Sequence, residues 1–341
     1  MSVSSYRMKP PRLFTTIVSV TIAGTVLASC DGGKSTKRAD RSAAPGRFST
    51  IVGIGPTGGP DSDPDWFEDP IDLATVQGGS ILALTKEFGR VFFVKPDGSR
   101  RQEFSLPTTG EALSMAVLSN GTITVVQKTT SGLTIEEKKK GQPPMEVAKL
   151  PASKDPLSVH LTVSPDGHLL LLKDGQLLRR TESGKFEPLP RVRGISPKTP
   201  TLAAVTDGDS LLTVLPNEIA WVRDNRVTRK VKLDSPVYPE DGAAVAPDGA
   251  GGAYLTGRSS YVSHISAQGR NGSILLGTPA RISSICGSGR ISGPTGDAQQ
   301  RPLGEATALG VTHSQLYVAD PLCHRIIAIG LPTKEYFPRG R

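Results

Sequence analysis

Apolar and polar residues alternate in short runs along most of this chain, and six of the runs share one form. Each spans five positions, ends in valine and is followed within a few residues by a turn and a second apolar run. The six runs are Asp72–Val76, Leu113–Val117, Val159–Val163, Thr201–Val205, Asp241–Val245 and Thr307–Val311. Alternation with a period of two predicts that each run is a β-strand.

The spacing of the six runs predicts how the strands are grouped. Their terminal valines lie 41, 46, 42, 40 and 66 residues apart. Intervals of about 40–50 residues are typical of β-propeller blades, and the long fifth interval indicates an insertion. Each blade needs about four strands to bury its faces against its neighbours. The pattern therefore predicts an all-β protein, a six-bladed β-propeller.

The turns between the predicted strands have the composition that tight hairpins require. Glycine tolerates positive φ, and asparagine and aspartate tolerate it better than most other residues. The dipeptides of this kind are Asp97-Gly98, Asn120-Gly121, Asp166-Gly167, Asp174-Gly175 and Asp207-Gly208. Turn chemistry and strand pattern thus agree.

The two ends of the repeat region share a sequence pattern. The last blade has room for only three strands before Leu331, whereas Phe48–Gly53 is a spare strand that resembles the predicted outer strand Ile282–Gly287. Pairing the spare strand with the outside of the sixth blade removes exposed sheet edges. We therefore predict a propeller of residues 48–331 that is closed by its N-terminal strand, with residues 332–341 as a tail.

One repeat carries a family resemblance. The run Leu316–Ile329 contains Tyr317-Val-Ala-Asp320 and His324-Arg-Ile326 after a glycine-rich loop, and in this it resembles the NHL repeats of β-propellers. The pair Leu322-Cys323 departs from the small turn residues usual in that family. The resemblance implies that Asp320 and His324 take part in hydrogen bonding within the blade.

The N-terminal 30 residues have the order of an export signal. Three basic residues, Arg7, Lys9 and Arg12, precede the apolar stretch Leu13–Leu27, which is too short to be read first as a membrane-spanning helix. Leu27-Ala-Ser-Cys30 resembles the bacterial lipobox, in which the cysteine sulfur becomes linked to diacylglycerol and its acyl chains, such as palmitate. We therefore expect a signal peptide of residues 1–29 and a mature protein held by lipid at Cys30 on the outer side of the cytoplasmic membrane.

Residues 30–47 have the composition of a flexible tether, and their basic residues are expected to be solvated or to touch anionic headgroups. The chain has a formal charge of +8, from 40 basic and 32 acidic residues. Removing the leader's Arg7, Lys9 and Arg12 leaves 37 against 32, or +5. This excess is too small to indicate a nucleic-acid partner. We expect a monomer.

Candidate chemistry gathers where the predicted innermost strands begin. Propellers usually bind ligands at that mouth of the channel, and aligning the six runs places polar residues there. They are Asp72, Glu111, His160, Thr201, Asp241 and Glu305, with Glu240 beside them. Carboxylates around a ring can hold calcium or another divalent cation, or a basic ligand. A wet channel mouth that is polar and has no ligand is the alternative.

No nucleophile elbow, phosphate-binding loop or closely spaced histidine pair occurs in the sequence. Two hypotheses follow. The first is a non-catalytic binding propeller that recognises a protein, peptide or envelope glycan through its mouth or nearby loops. The second is a metal-dependent propeller enzyme of the lactonase or lyase type. The run Lys138-Lys-Lys140 is expected to form a solvated hairpin tip.

Two cysteines remain after lipidation of Cys30. Cys286 and Cys323 both lie in the final repeat, and export would place them where disulfides persist. They are predicted either to form a disulfide near the closure of the ring or to be two separate buried thiols.

Overall fold

The structure is a computed structural model. It describes residues 41–53, 67–86, 89–107, 110–196, 198–233, 236–237, 243–257, 261–268, 271–277, 292–294 and 303–331. Within these ranges no helix is long and apolar enough to cross a membrane.

The described strands form six antiparallel sheets, each of which is one blade. Blade 1 contains β2 (Pro70–Thr75), β3 (Ile81–Thr85), β4 (Arg90–Val94) and β5 (Arg100–Ser105). Blade 2 contains β6 (Glu111–Val117), β7 (Ile123–Thr129), β8 (Gly132–Lys138) and β9 (Met145–Leu150). Blade 3 contains β10 (His160–Val163), β11 (Leu169–Lys173), β12 (Gln176–Arg180) and β13 (Phe186–Pro188).

The remaining three blades continue the series. Blade 4 contains β14 (Ala203–Asp207), β15 (Ser210–Leu215), β16 (Glu218–Arg223) and β17 (Arg226–Lys232). Blade 5 contains β18 (Ala244–Pro247), β19 (Ala253–Thr256), β20 (Tyr261–Ile265) and β21 (Asn271–Gly277). Blade 6 contains β23 (Ala308–Val311), β24 (Gln315–Asp320), β25 (Arg325–Gly330), β1 (Arg47–Val52) and β22 (Ser292–Pro294), in that order across the sheet.

The six sheets form a ring around a channel. Their first strands contact one another in the cyclic order β2, β6, β10, β14, β18 and β23, and β23 contacts β2. All six predicted runs overlap these innermost strands. The prediction of an all-β, six-bladed propeller is therefore confirmed.

Apolar residues on both faces of each blade hold the ring together. The middle strands are buried on both sides, as in β15, where all six residues are buried. The described residues form six apolar clusters, and each lies between two neighbouring blades. Sheets covered on both faces need such continuous apolar runs, which explains the leucine and valine content of the middle strands.

A buried ion pair closes the β24–β25 hairpin. The Nε atom of Arg325 donates to Oδ2 of Asp320 over 3.0 Å, and both side chains are fully buried. Asp320 also accepts hydrogen bonds from the backbone N–H groups of Gly304 and Glu305, at 3.2 and 3.0 Å. These two residues lead into β23, so the pair fixes the approach to the last innermost strand.

Residues before the predicted boundary at Phe48 already contact the ring. The backbone of Ala43 exchanges two hydrogen bonds with the side-chain amide of Gln315, at 3.1 and 2.9 Å, and Ala43 is buried. The predicted tether of residues 30–47 is thus held against blade 6 from this point. The physical reason is the buried Gln315 amide, whose polar groups need partners.

The ring has two faces, which are named here by strand direction. The start face is where the innermost strands begin, and it includes the turns Thr129–Gly132 and Pro216–Asn217. The end face is where these strands end. Because neighbouring strands are antiparallel, the turn after the innermost strand and the turn before the outermost strand both lie at the end face. Leu118–Thr122 and Asp224–Asn225 are examples.

Candidate functional site at the central channel

The central channel has a volume of about 600 Å³ and is lined by residues of all six innermost strands. Most of the lining residues are small or apolar, such as Ala74, Val117, Ala204 and Leu309. The polar exceptions in the first three blades are therefore conspicuous candidates for recognition or chemistry.

The strand register shows that three polar residues share one level of the channel. In blades 1 to 3 the last paired residue of the innermost strand faces a residue of the second strand that lies six positions later in the sequence. The closing pairs are Thr75 with Ile81, Val117 with Ile123 and Val163 with Leu169. Counting three residues back along each strand gives Asp72, Ser114 and His160. These three occupy equivalent positions on consecutive blades, and all line the channel.

The carboxylate of Asp72 is held by backbone and side-chain donors. Oδ2 accepts hydrogen bonds from Ser114 Oγ and from the backbone N–H of Met115, both at 2.6 Å. Oδ1 accepts from the backbone N–H of Leu73 at 2.8 Å. Ser114 Oγ in turn accepts from the N–H of Leu161 at 2.9 Å. The innermost strands of three blades are thereby joined through one carboxylate and one hydroxyl.

Burial raises the pKa of Asp72 from its ordinary value of 3.8 to about 6, because the low-dielectric surroundings disfavour the charged form. The hydrogen bonds from Ser114, Met115 and Leu73 act in the opposite direction and lower the pKa by a smaller amount. A carboxyl group that titrates near pH 6 in a channel can bind a cation or exchange a proton under mild conditions.

This shift predicts a pH-dependent stability. Between about pH 4 and pH 6 the folded protein binds more protons at Asp72 than the unfolded chain does, so its free energy of unfolding should fall as the pH rises. The loss should reach at most about 3 kcal/mol. Denaturant unfolding of the wild type and of Asp72→Asn at pH 4, 5, 6 and 7 measures it. We expect the difference between the two proteins to change over this interval, and parallel curves would contradict the assignment.

The structure places Glu111 outside the channel wall. It lies at the start of β6 and forms an ion pair with Lys86 at 3.3 Å, with both side chains substantially exposed. A β-bulge between Ala112 and Ser114 moves Glu111 one position farther from the channel than a regular strand would. Its equivalent in blade 1 is Asp69, which the sequence analysis missed. Oδ1 of Asp69 lies 2.5 Å from Nδ1 of His324.

The remaining predicted site residues have different outcomes. Glu305 is partly buried before β23, and the N–H of Thr201 donates to the carbonyl of Gly175 at 3.1 Å. Cys30, Glu240, Asp241 and Cys286 lie outside the described residues. Cys323 is disulfide-bonded, but its pairing with Cys286 stays a prediction. Within the described part of the chain, no group of three histidine, cysteine or carboxylate side chains is arranged to hold a metal ion.

A second cavity, of about 1110 Å³, lies between blades 3 and 4. The segment 189–201 crosses it, and its walls include Leu177 and Val222 from the facing blades. Two ion pairs lie along it, Arg179 with Asp166 at 3.2 Å and Arg223 with Asp209 at 2.6 Å. The apolar cluster at this interface has only five buried members, which is fewer than at any other interface. This cleft separates the two blades that pack least against each other.

Comparison with known proteins finds solved structures with a similar fold. No protein-family model matches the sequence, and no curated protein matches it, so the resemblance of Leu316–Ile329 to an NHL repeat stays a prediction. Among solved structures, an auxiliary nutrient binding protein from Bacteroides ovatus has a TM-score of 0.60 at 12% identity. The similarity covers 83% of this chain and 76% of that one.

Enzymes are also among the solved structures that are similar to this chain. A catalytically inactive virginiamycin B lyase from Staphylococcus aureus, crystallised with quinupristin, has a TM-score of 0.51 at 14% identity, covering 79% of this chain and 97% of that one. A PQQ-bound aldose sugar dehydrogenase from Streptomyces coelicolor has a TM-score of 0.50 at 14% identity, covering 84% and 99%. These similarities support the six-bladed propeller, and at such identities they extend to the fold alone.

Proposed function

We propose that this chain is a lipid-anchored propeller of the bacterial cell envelope that binds a ligand at the start face of its ring. Of the three ligand classes that the sequence suggests, protein, peptide and glycan, the charges of the start face favour a protein or peptide with basic side chains. The lipid anchor is attached at Cys30, and the protein binds its ligand on the outer side of the cytoplasmic membrane. The resemblance to bacterial lipoproteins at Leu27-Ala-Ser-Cys30 supports this address.

The carboxylates around the channel mouth carry the binding proposal. Asp69 and Glu111 occupy equivalent positions before the first two innermost strands, and Asp72 lies inside the channel behind them. Asp155 and Glu305 precede the innermost strands of blades 3 and 6. Carboxylates around a concave mouth concentrate cationic ligands there. The channel volume of about 600 Å³ lies within the range of about 300–1,000 Å³ that is usual for ligand pockets.

The position of β1 supports a further proposal about the closure of the ring. β1 lies between β25 and β22, and its residues Phe48, Ser49 and Thr50 are paired with Ile329, Ala328 and Ile327. We propose that this strand closes an NHL-like ring from the N-terminal side. The closure joins the anchored end of the chain to the last blade.

The binding proposal is tested with fluorescent oligolysine and oligoglutamate of equal length, by fluorescence anisotropy. We expect oligolysine to bind and oligoglutamate not to bind. The double variant Glu111→Gln/Glu305→Gln should weaken oligolysine binding by about tenfold or more, because two carboxylates are removed from the mouth. A matched control, Glu146→Gln/Glu187→Gln, removes the same charge from the exposed outer strands β9 and β13. Equal losses in both double variants would contradict binding at the start face.

A metal-dependent enzyme is the second candidate function, and one observation favours it. Asp72, whose pKa is raised to about 6, shares its level of the channel with Ser114 and His160, and perturbed carboxyl groups in clefts are frequent in catalysis. Metal analysis of the purified protein separates this candidate from the first. Calcium or another divalent cation bound with Asp72 as a ligand should also raise the melting temperature.

A further inference from the structure

Two groups of basic side chains lie on the end face of the ring. Lys139 and Lys140 lie in the turn between β8 and β9, and both are exposed. This confirms the hairpin tip predicted for the lysine run. Arg226 begins β17 at the end-face turn of blade 4 and is exposed as well. Carboxylates lie in end-face turns as well, among them Asp166, Asp209 and Asp224, and the first two pair with Arg179 and Arg223.

Backbone pairing brings further arginines to the same place. Arg193, in the segment that crosses the cleft, forms a parallel bridge with Arg226. The N–H of Arg193 donates to the carbonyl of Asn225 at 2.9 Å, and the carbonyl of Arg193 accepts from the N–H of Val227 at 3.0 Å. Arg191 lies two residues earlier on the wall of the cleft. Arg191, Arg193 and Arg226 are all exposed, so their charges are directed by a fixed backbone toward solvent.

Among the described residues, no carboxylate lies within ion-pair distance of Arg191, Arg193 or Arg226, or of Lys139 or Lys140. Arg223 differs, since it is paired with Asp209 at 2.6 Å. The outer turn of blade 2 and the boundary between blades 3 and 4 therefore offer five positive charges that have no carboxylate partner among the described residues.

The chain that leads to Cys30 leaves from this same face. β1 runs antiparallel to β25, and Arg47 at its start lies beside the end of β25, where Pro45 forms a bridge with Gly330. Fourteen residues lie between Cys30 and Pro45. At about 3.3–3.6 Å per residue they span at most about 50 Å. A lipid at Cys30 thus holds the end face within this distance of the membrane.

We propose that the end face docks on an anionic phospholipid surface, through Arg191, Arg193, Arg226 and the Lys139-Lys140 turn. This rests on the lipid anchor proposed above for Cys30. The anchor keeps the ring near the bilayer, and these five cations orient it, so that the start face is directed away from the lipid toward its ligand. Negative headgroups attract basic residues within a Debye length, which is about 8 Å at physiological salt.

The test uses a chain that begins at Asp31 and therefore carries no lipid. It retains every described strand, since these lie between Arg47 and Gly330. Vesicles of phosphatidylcholine alone are compared with vesicles that also contain phosphatidylglycerol, by co-sedimentation. We expect binding to the anionic vesicles only, and it should weaken as salt is raised. The triple variant Arg191→Gln/Arg193→Gln/Arg226→Gln should bind about 100-fold more weakly, at roughly fivefold per charge.

A matched control removes the same charge from the opposite face. The triple variant Lys86→Gln/Lys128→Gln/Lys154→Gln changes three lysines at or near the start face, and it should bind the anionic vesicles as the wild type does. Equal losses in both triple variants would show an effect of net charge and overturn the docking face. Far-ultraviolet circular dichroism of each variant checks that the ring is folded.

Two other outcomes also decide the proposal. If the wild type binds a soluble acidic polysaccharide but not the anionic vesicles, the end face is a polymer-binding surface and membrane docking is wrong. Lipid labelling of the full chain and of Cys30→Ala tests the anchor separately. Labelling that persists in Cys30→Ala overturns the anchor while leaving the vesicle result intact, so the two failures are distinguishable.

Discussion

Deletion of residues 47–53 should leave the protein unfolded or nearly so. Phe48, Ile51 and Val52 are buried in β1, which pairs with β25 on one edge and with β22 on the other. Loss of one aromatic and two aliphatic side chains should cost roughly 5–9 kcal/mol, at about 1.5–3 kcal/mol each. The whole stability of a typical domain is about 5–15 kcal/mol. Denaturant unfolding of the chain that begins at Asp31, with and without this deletion, measures the effect.

The control deletion must avoid residues that contact the ring. Removing residues 31–38 shortens the predicted tether by a similar length and should leave the denaturation midpoint unchanged. Extending that deletion through Arg41 would confuse the comparison, because the N–H of Arg41 donates to the carbonyl of Pro96 at 3.1 Å. If deletion of 47–53 and deletion of 31–38 gave equal midpoints, β1 would not be a closing strand.

Substitution of Arg325 by methionine should destabilise the protein by about 3–5 kcal/mol. The variant removes the guanidinium group and leaves the buried carboxylate of Asp320 without its opposite charge. The desolvation of an unpaired charge is the dominant cost, because the methionine side chain retains much of the apolar volume. Equilibrium unfolding in urea at neutral pH measures the change.

A double variant and an exposed pair sharpen this test. Asp320→Asn/Arg325→Met removes both charges, and the asparagine oxygen can still accept from one of the N–H groups of Gly304 and Glu305, which donate to different oxygens of Asp320. We expect it to recover part of the lost stability. Lys230→Met removes an ion pair in which the Lys230 ammonium lies 2.6 Å from the Glu218 carboxylate and both groups are partly exposed. This substitution should lower the free energy of unfolding by at most about 1 kcal/mol. Similar losses for Arg325→Met and Lys230→Met would contradict the role of burial.

The ring itself was predictable because the innermost strands share a repeated sequence pattern. Alternation that ends in valine marks strands that are buried between two blades, and its spacing gives the number of blades. The segment 189–201 gave no such signal. It has no strand period, and what holds it in place is the bridge from Arg193 to Arg226 together with hydrogen bonds from Leu189 to Leu177 and from Thr201 to Gly175, which a sequence pattern does not reveal.

The candidate site was predictable only in part, because a register error of one residue changes which side chains face the channel. Alignment by the terminal valines pairs Val76 with Val117, whereas the hairpins make Thr75 the equivalent of Val117. The correct register pairs Asp72 with Ser114 instead of Leu113. The β-bulges before Asp72 and Ser114 have no glycine or other signature in the sequence, and Ser114 was therefore missed.

The meeting of the two chain ends decides where the protein can display an attached domain. The N–H of Gly46 donates to the carbonyl of Gly330 at 3.0 Å. A reporter fused directly after Leu331 would therefore start beside the point where the N-terminal segment joins the ring, and with the proposed lipid at Cys30 the membrane would crowd it. The turns Thr129–Gly132 and Pro216–Asn217 open on the opposite face. An epitope or reporter inserted there would project outward, where antibodies and proteases reach it first.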